Sequence, residues 1–215
     1  MGVMKMFMMI LMKIFMAQNK LPRRAVLSGI VAALLWNGLP AYALTKSAAK
    51  TLINQAVDDI NAMVASTDDE EIILVEFEKI FERYADVKLM ARYALGAEAR
   101  RATPKQIKKF TRVFKIYMAR KYGSRFREFM GSDIIVKDSK KVKSFYKVTA
   151  EAKLQNAKPF EVEFLVSDKS GKPLFFNIFI EGINMLLSER AEIGALLDKN
   201  GGKIDRLIMA LEATL

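Results

Sequence analysis

Any chemistry in this chain has to come from carboxylates, lysines and tyrosines. The sequence has no histidine and no cysteine, which excludes disulfides, Cys or His metal sites, and Ser-His-Asp or Cys-His nucleophile systems. Glu181, before Gly182 at a predicted strand end, is the one carboxylate placed like an active-site residue. It could instead hold a strand-to-helix corner through hydrogen bonds to nearby N–H groups. Acid–base catalysis needs a second group that the sequence does not place beside it, so we predict no catalytic residues, no metal and no enzyme.

A cluster of acids at Asp68, Asp69, Glu70 and Glu71 is the other candidate for chemistry. Such a cluster could bind a cation, but at the start of a predicted helix it more commonly complements the helix dipole. No Gly-rich phosphate loop, calcium loop or dinucleotide fingerprint is present. The sequence therefore favours binding over catalysis.

The most informative stretch predicts two amphipathic helices between Tyr84 and Gly123. Asp86 can cap the first helix, and Gly96 follows its last apolar residue, where a left-handed residue is common. Thr103, Pro104 and Gln106 form a capping box with proline at the first position of the second helix. Large, soft side chains recur at helical spacing on both helices: Met90, Tyr93, Phe110, Phe114, Tyr117 and Met118.

Period-2 alternation then predicts four antiparallel strands between residues 134 and 180, with a hairpin turn at Asp168–Gly171. Helices over residues 46–64, from about 66, over 183–197 and from 204 flank these regions. The fold class is α+β, a four-stranded or slightly larger twisted sheet packed against helices. A pocket is expected between the layers, with Phe114 facing Phe164. Phe164, Phe176, Ile178, Ile183 and Met185 complete its predicted lining.

Residues 1–43 are predicted to be an N-terminal extension and signal peptide, followed by a domain over residues 44–215. Lys20, Arg23 and Arg24 precede an apolar run from Ala25 to Trp36, and Ala41 and Ala43 match the small-x-small cleavage rule. The apolar run is shorter than the about 20 residues of a membrane span, which favours cleavage over an uncleaved anchor. The two arginines fit twin-arginine and Sec export equally. Residues 1–15 are either a mis-assigned start or an extra membrane-associating piece.

After removal of residues 1–43, the chain keeps 30 basic and 24 acidic residues, a net charge of +6. Such a surface favours anionic partners such as lipid headgroups, acidic proteins or nucleic acid, or it simply keeps the domain soluble. Export argues against a nucleic-acid-binding module. The missing histidine argues against an enzyme on a cone-shaped α+β scaffold, which stays an alternative.

Two blocks of the sequence resemble the MlaC family, also called the toluene-tolerance auxiliary family. The first block runs from Asp86-Val87 through Met90-Ala91-Arg92-Tyr93 to Thr103-Pro104 and Gln106. The second runs from Asn177 to Met185 and continues through Arg190 to Leu211, so that the resemblance covers about residues 48–212. It departs from the family pattern where Pro173 replaces the usual Trp, Asn177 the usual Asp, and Asn184 the usual Ser.

The resemblance implies a soluble periplasmic phospholipid carrier with no cofactor other than its bound cargo. Its implied partners are an outer-membrane MlaA–porin complex and an inner-membrane ABC transporter with an MCE-domain subunit, and its implied role is outer-membrane lipid asymmetry. The departures around Asn177 and Asn184 leave open a divergent paralogue that carries another lipid, such as a hopanoid.

Overall fold

The computed structural model describes residues 44–123, 133–153 and 158–215. The predicted signal peptide and its cleavage site lie outside these residues. Within them, the helices are α1 (Lys46–Ser66), α2 (Glu70–Tyr84), α3 (Val87–Ala94), a 3-10 helix (Gly96–Arg100), α4 (Pro104–Gly123), α5 (Met185–Lys199) and α6 (Ile204–Glu212). The strands are β1 (Asp133–Val142), β2 (Phe145–Lys153), β3 (Phe160–Ser167), β4 (Leu174–Ile180) and β5 (Ile183–Asn184).

Side-chain caps set the starts of the helices where the sequence predicts them. The Thr103 hydroxyl accepts from the N–H of Gln106 at 3.2 Å, and the Gln106 side chain accepts from the N–H of Thr103 at 2.9 Å. This reciprocal pair satisfies two backbone donors that the first turn of α4 leaves free. Asp86 caps α3 through the N–H of Leu89 at 3.0 Å. Both predicted caps are therefore confirmed.

The acid cluster likewise begins a helix. The Asp69 carboxylate accepts from the N–H groups of Glu71 and Ile72 at 3.0 and 3.3 Å, and Glu70 and Glu71 occupy the first turn of α2. Their charges face the positive end of the helix dipole. Within the part of the chain that the structure describes, no three His, Cys, Asp or Glu side chains converge to hold a metal ion.

The five strands form one antiparallel sheet in the order β1-β2-β3-β4-β5. The predicted α+β class and antiparallel sheet are confirmed, and the short β5 adds a fifth strand. Glu181 and Gly182, with φ of 50° and 79°, make the two-residue turn between β4 and β5. Two consecutive residues of positive φ are typical of a type I′ hairpin, which matches the twist of the flanking strands.

One layer of helices covers the inner face of the sheet, and further helices cover that layer. α1 packs on β1 and β2, while α3 and α5 pack on β4. α4 packs mainly on α2, α3 and α6. Residues from the sheet and from all six α-helices join one apolar cluster, in which Ile53, Phe110, Phe114, Val148 and Val166 have no exposed surface. The fold therefore depends on one core that continues from the sheet into a double layer of helices.

Phe176 is predicted to line the pocket on the inner face of the sheet, but a β-bulge in β4 removes it from the core. Leu165 pairs with Asn177 and Val166 pairs with Phe175, so Phe176 is an extra residue without a partner in β3. The bulge shifts the alternation of β4, and Phe175 rather than Phe176 joins the core. The Phe176 ring instead contacts Phe145 of β2 edge-on, with 5.6 Å between ring centroids.

None of the helices in the described ranges 44–123, 133–153 and 158–215 is long and apolar enough to span a membrane.

Candidate functional site

The helical side of the core is built around aromatic residues of α4. Phe110 and Phe114 lie one turn apart, which places their rings 5.7 Å from each other, and both are fully buried. Tyr117 continues the row, with its ring 6.3 Å from that of Phe114. Met90 and Met118 are buried in the same cluster. Thioether side chains adapt to irregular space, so this part of the core can rearrange at modest cost.

The sheet side of the core carries a second row of rings. Phe164 of β3 contacts Phe175 of β4 at 6.0 Å, and Phe175 contacts Phe81 of α2 at 6.2 Å. Phe81 in turn contacts Phe77 at 6.1 Å. Phe164 and Ile178 pack against the core while part of each side chain stays exposed. Apolar side chains thus run from the sheet surface to the centre of the helical layer.

The structure brings most of the predicted pocket residues to this core and leaves others outside it. Tyr93 and Ile183 are exposed, at 37% and 61%, and Met185 is half-buried at the start of α5. Arg190 covers the Tyr93 ring at 5.1 Å. Helical spacing predicts which residues share a helix face, but it does not predict how the helix is rotated about its axis relative to the core. The core residues are Met90, Phe110, Phe114 and Met118, with Tyr117, Phe164 and Ile178 packed against them.

Phe114 and Phe164 do not face each other, contrary to the sequence-based expectation. The ring neighbours of Phe114 are Phe110 and Tyr117, whereas that of Phe164 is Phe175. The reason is the double helical layer: α4 packs mainly on other helices, and α1, α3 and α5 contact the sheet. Apolar periodicity shows that one face of a helix is buried, but it does not show which other element packs against that face.

A cleft lined largely by polar side chains lies apart from the aromatic rows of the core. It holds about 420 Å³ between the 3-10 helix, the start of α4 and the turn before α6, and is lined by Glu98, Arg101, Gln106, Lys203, Asp205 and Arg206 among others. Charged walls do not suit acyl chains.

A polar cluster that is not predicted from the sequence joins the end of α4 to α5. Glu189 is fully buried, accepts from the Tyr122 hydroxyl, and lies 2.8 Å from the Lys121 ammonium. Lys121 also contacts Glu192 at 2.5 Å, and the Tyr117 hydroxyl donates to Glu192 at 2.6 Å. Tyr117 and Lys121 are four residues apart on α4, and Glu189 and Glu192 are three apart on α5. Each pair therefore shares a helix face, but contact between the two pairs is predictable only when the packing of α4 on α5 is known. Buried charges are tolerated when they are paired in this way.

Burial and hydrogen bonding shift the ionisation of this cluster. Burial raises the pKa of Tyr117, and its hydrogen bond to Glu192 raises it further; burial and the hydrogen bond to Glu189 do the same to the pKa of Tyr122. Burial lowers the pKa of Lys121, but its hydrogen bonds to Glu189 and Glu192 outweigh this, and the net pKa is raised. The folded protein therefore keeps both phenols neutral and the ammonium charged.

The two tyrosines should make stability fall at alkaline pH. Their folded pKa values lie above the unfolded value of about 10, so their contribution is complete below pH 10 and is lost as pH rises, because the unfolded chain releases protons first. Each tyrosine then adds a slope of about 1.4 kcal/mol per pH unit. Urea unfolding above pH 10 should show a shallower decline for Tyr117→Phe/Tyr122→Phe than for wild type.

Tyr93→Phe, outside the cluster, is the matched control and should decline as the wild type does. If the double variant lost stability with rising pH as steeply as the wild type, the two phenols would not have the raised pKa values described above.

Two asparagines, rather than Glu181, hold the corner between β4 and α5. The Asn177 amide donates to the Asn184 side-chain oxygen at 2.9 Å, and the Asn177 oxygen accepts from the N–H groups of Ile178 and Leu186 at 2.8 and 3.1 Å. The same Asn184 oxygen caps α5 through the N–H of Leu187 at 3.0 Å. Glu181 is exposed at the tip of the neighbouring turn. The corner thus depends on the Asn177–Asn184 amide pair.

This pair should show strong coupling in a double-mutant cycle. Asn177→Asp places a carboxylate against the Asn184 oxygen, which cannot donate, and should destabilise the fold by about 1–3 kcal/mol. In Asn177→Asp/Asn184→Ser a serine hydroxyl can donate to the carboxylate, and the double variant should be more stable than the two single effects predict, by about 1 kcal/mol. Urea unfolding measures all four proteins. Simple additivity would mean that the two side chains do not interact.

The same fold is found in a solved structure. A solved phospholipid-binding protein from Ralstonia solanacearum, determined in complex with a phospholipid at 1.53 Å, shares this α+β architecture with a TM-score of 0.63. The two chains are 19% identical, and the match covers 77% of this chain and 95% of that one. No curated protein matches this chain.

The family model described as MlaC protein matches residues 50–213. The chain therefore belongs to the MlaC family, as its two sequence blocks indicate.

Proposed function

We propose that this protein is a phospholipid carrier that encloses acyl chains between the inner face of its sheet and its helices. The observation that carries the proposal is the continuous apolar core from Phe164 to Phe114, in a chain of the MlaC family. The similarity in fold to a protein solved with a phospholipid supports it. Phospholipid is thus the proposed cargo, and no catalytic cofactor is needed.

The energetics of lipid transfer explain why such a core would be useful. A diacyl phospholipid has about 30 methylenes, and hiding each from water is worth about 0.8 kcal/mol. Passage through water therefore requires a protein that covers the chains. Phe164 and Ile178 touch the core and remain partly exposed, so the sheet side offers a route inward. Release then needs only a partner that opens the layers again, without covalent chemistry.

We further propose that the carrier works in the periplasm between two membrane complexes. Its partners would be the outer-membrane MlaA–porin complex and the inner-membrane ABC transporter with an MCE-domain subunit, and the outcome would be outer-membrane lipid asymmetry. The membership of the MlaC family supports this role. A divergent paralogue for another lipid, such as a hopanoid, would use the same core.

Export by a cleaved signal peptide completes the proposal. Cleavage after Ala43 would turn the backbone nitrogen of Leu44, which lies 2.9 Å from an Asp168 carboxylate oxygen, into a terminal ammonium. A charge-assisted contact is stronger than one to a neutral N–H, so the folded domain would stabilise the new terminus.

No observation favours an enzyme, since Glu181 is exposed at a turn tip.

Phe164→Glu should abolish the phospholipid that co-purifies with the exported protein, because a buried charge would have to be neutralised or expel the acyl chains. Leu165→Glu is the matched control: Leu165 lies next in the same strand, points to the outer face, and is also half-buried. Lipids extracted from detergent-free preparations are measured by mass spectrometry, with circular dichroism as the test of folding.

Equal lipid content in the two folded variants would contradict a cargo site on the inner face. Folded wild-type protein that carries no lipid and takes none from vesicles would contradict the carrier itself.

N-terminal sequencing of the periplasmic protein should begin at Leu44. An intact N-terminus recovered in the inner membrane would contradict both the cleavage and the soluble carrier.

A further inference from the structure

Two neighbouring turns at one end of the sheet present a group of exposed lysines. The β1–β2 turn at residues 143–144 and the β3–β4 turn at residues 168–173 lie at the same end, because Tyr146 at the start of β2 pairs with Val166 near the end of β3. Three exposed lysines lie in the turns and two lie just before them at the end of β1. These five, which we call the turn lysines, are Lys140, Lys141, Lys143, Lys169 and Lys172.

The turn lysines differ from the other lysines of the sheet in their pairing. Lys137 pairs with Glu151 at 3.3 Å, and Lys147 pairs with Glu163 on the outer face. In the described residues no acidic side chain lies within 4.0 Å of any turn lysine. The fold thus pairs the lysines in the middle of the strands with acids and leaves a positive field at this end.

The acids near these turns are already engaged by other groups. Asp168, the one acid within the two turns, accepts from the N–H of Leu44 at 2.9 Å. Asp86 is buried, caps α3 and accepts from the Ser170 hydroxyl. Neither carboxylate is directed to a lysine. The positive charge of this end is therefore available to an outside partner.

An apolar pair lies beside the turn lysines on the outer face of the sheet. Phe145, the first residue of β2, meets Phe176 of β4 edge-on at 5.6 Å across β3. Both rings are half-buried and lie outside the core cluster. Aromatic groups beside lysines match the boundary between lipid headgroups and acyl chains.

We infer that this end of the sheet docks on an anionic lipid surface. All five charges are lysines on flexible stems, which suit a diffuse array of phosphates, whereas an acidic protein partner with fixed carboxylates favours the planar fork of arginine. The cleaved chain would begin at this same end, where the Leu44 nitrogen contacts Asp168. Docking needs no cavity and is independent of the proposed lipid carriage.

The test is co-sedimentation of the exported protein with vesicles of phosphatidylglycerol and phosphatidylcholine, compared with vesicles of phosphatidylcholine alone. Wild-type protein should bind the anionic vesicles only, and salt should weaken the binding. Lys141→Gln/Lys143→Gln/Lys172→Gln should weaken binding by at least about tenfold, since each lysine near the surface contributes several-fold.

Lys105→Gln/Lys108→Gln/Lys203→Gln is the matched control, because it removes the same charge from exposed lysines outside the sheet. It should change binding by less than about threefold. Phe164→Glu should bind vesicles as wild type does, which separates docking from cargo binding. If the two triple variants lost vesicle binding equally, net charge rather than the position of the turn lysines would explain the loss, and the inference would be wrong. Folded wild-type protein that ignores anionic vesicles would also overturn it, including the case in which the turn lysines instead bind an acidic protein.

Discussion

The inner face of the sheet must be covered, because Val148, Val166 and Phe175 would otherwise present a continuous apolar surface to water. Each such side chain gains about 1.5–3 kcal/mol on burial, and the helices supply the cover. The same surface that stabilises the fold is the surface that acyl chains would occupy. Under the proposed function, stability and cargo binding would compete for one set of contacts, and soft residues such as Met90 and Met118 would allow the exchange at lower cost than a rigid core.

Polar contacts fix one side of this arrangement. The Asn177–Asn184 pair ties the start of α5 to β4, and the Lys121–Glu189 contact ties the middle of α5 to the end of α4. α3 packs on α4, α5 and β4. These elements are held together by directional bonds, which do not slide as apolar contacts do. We expect the layers to part instead where α1 covers β1 and β2, since the polar contacts there are exposed and therefore weak. They are the Lys46–Asp138 pair at 2.7 Å and the hydrogen bond that Lys50 donates to the Lys137 carbonyl at 3.0 Å.

The sequence predicted those features that depend on local interactions. The Thr103–Gln106 box and the Asp86 cap involve residues three apart, so their spacing alone determines them. Strict alternation predicts the wrong face for Phe176, because a bulge, which no local signal marks, shifts the alternation by one residue. Tyr93 follows the apolar spacing of α3 yet stays exposed, and Ile183 lies in the short strand β5 rather than in the predicted helix. The Glu189 cluster and the Asn177 corner join distant segments, and only the packing reveals them.

The central claim is that acyl chains enter between the inner face of the sheet and the helices. The one tryptophan, Trp36, lies in the predicted signal peptide, so Phe164→Trp gives the cleaved protein a single fluorescent probe at the inner face. The protein is incubated with vesicles of phospholipid brominated on the acyl chain and then separated from them. The account predicts that its tryptophan emission is quenched, and that the outward-facing Leu165→Trp is not. Emission from Phe164→Trp that stays unquenched, although the protein has taken up the brominated lipid, would contradict the account.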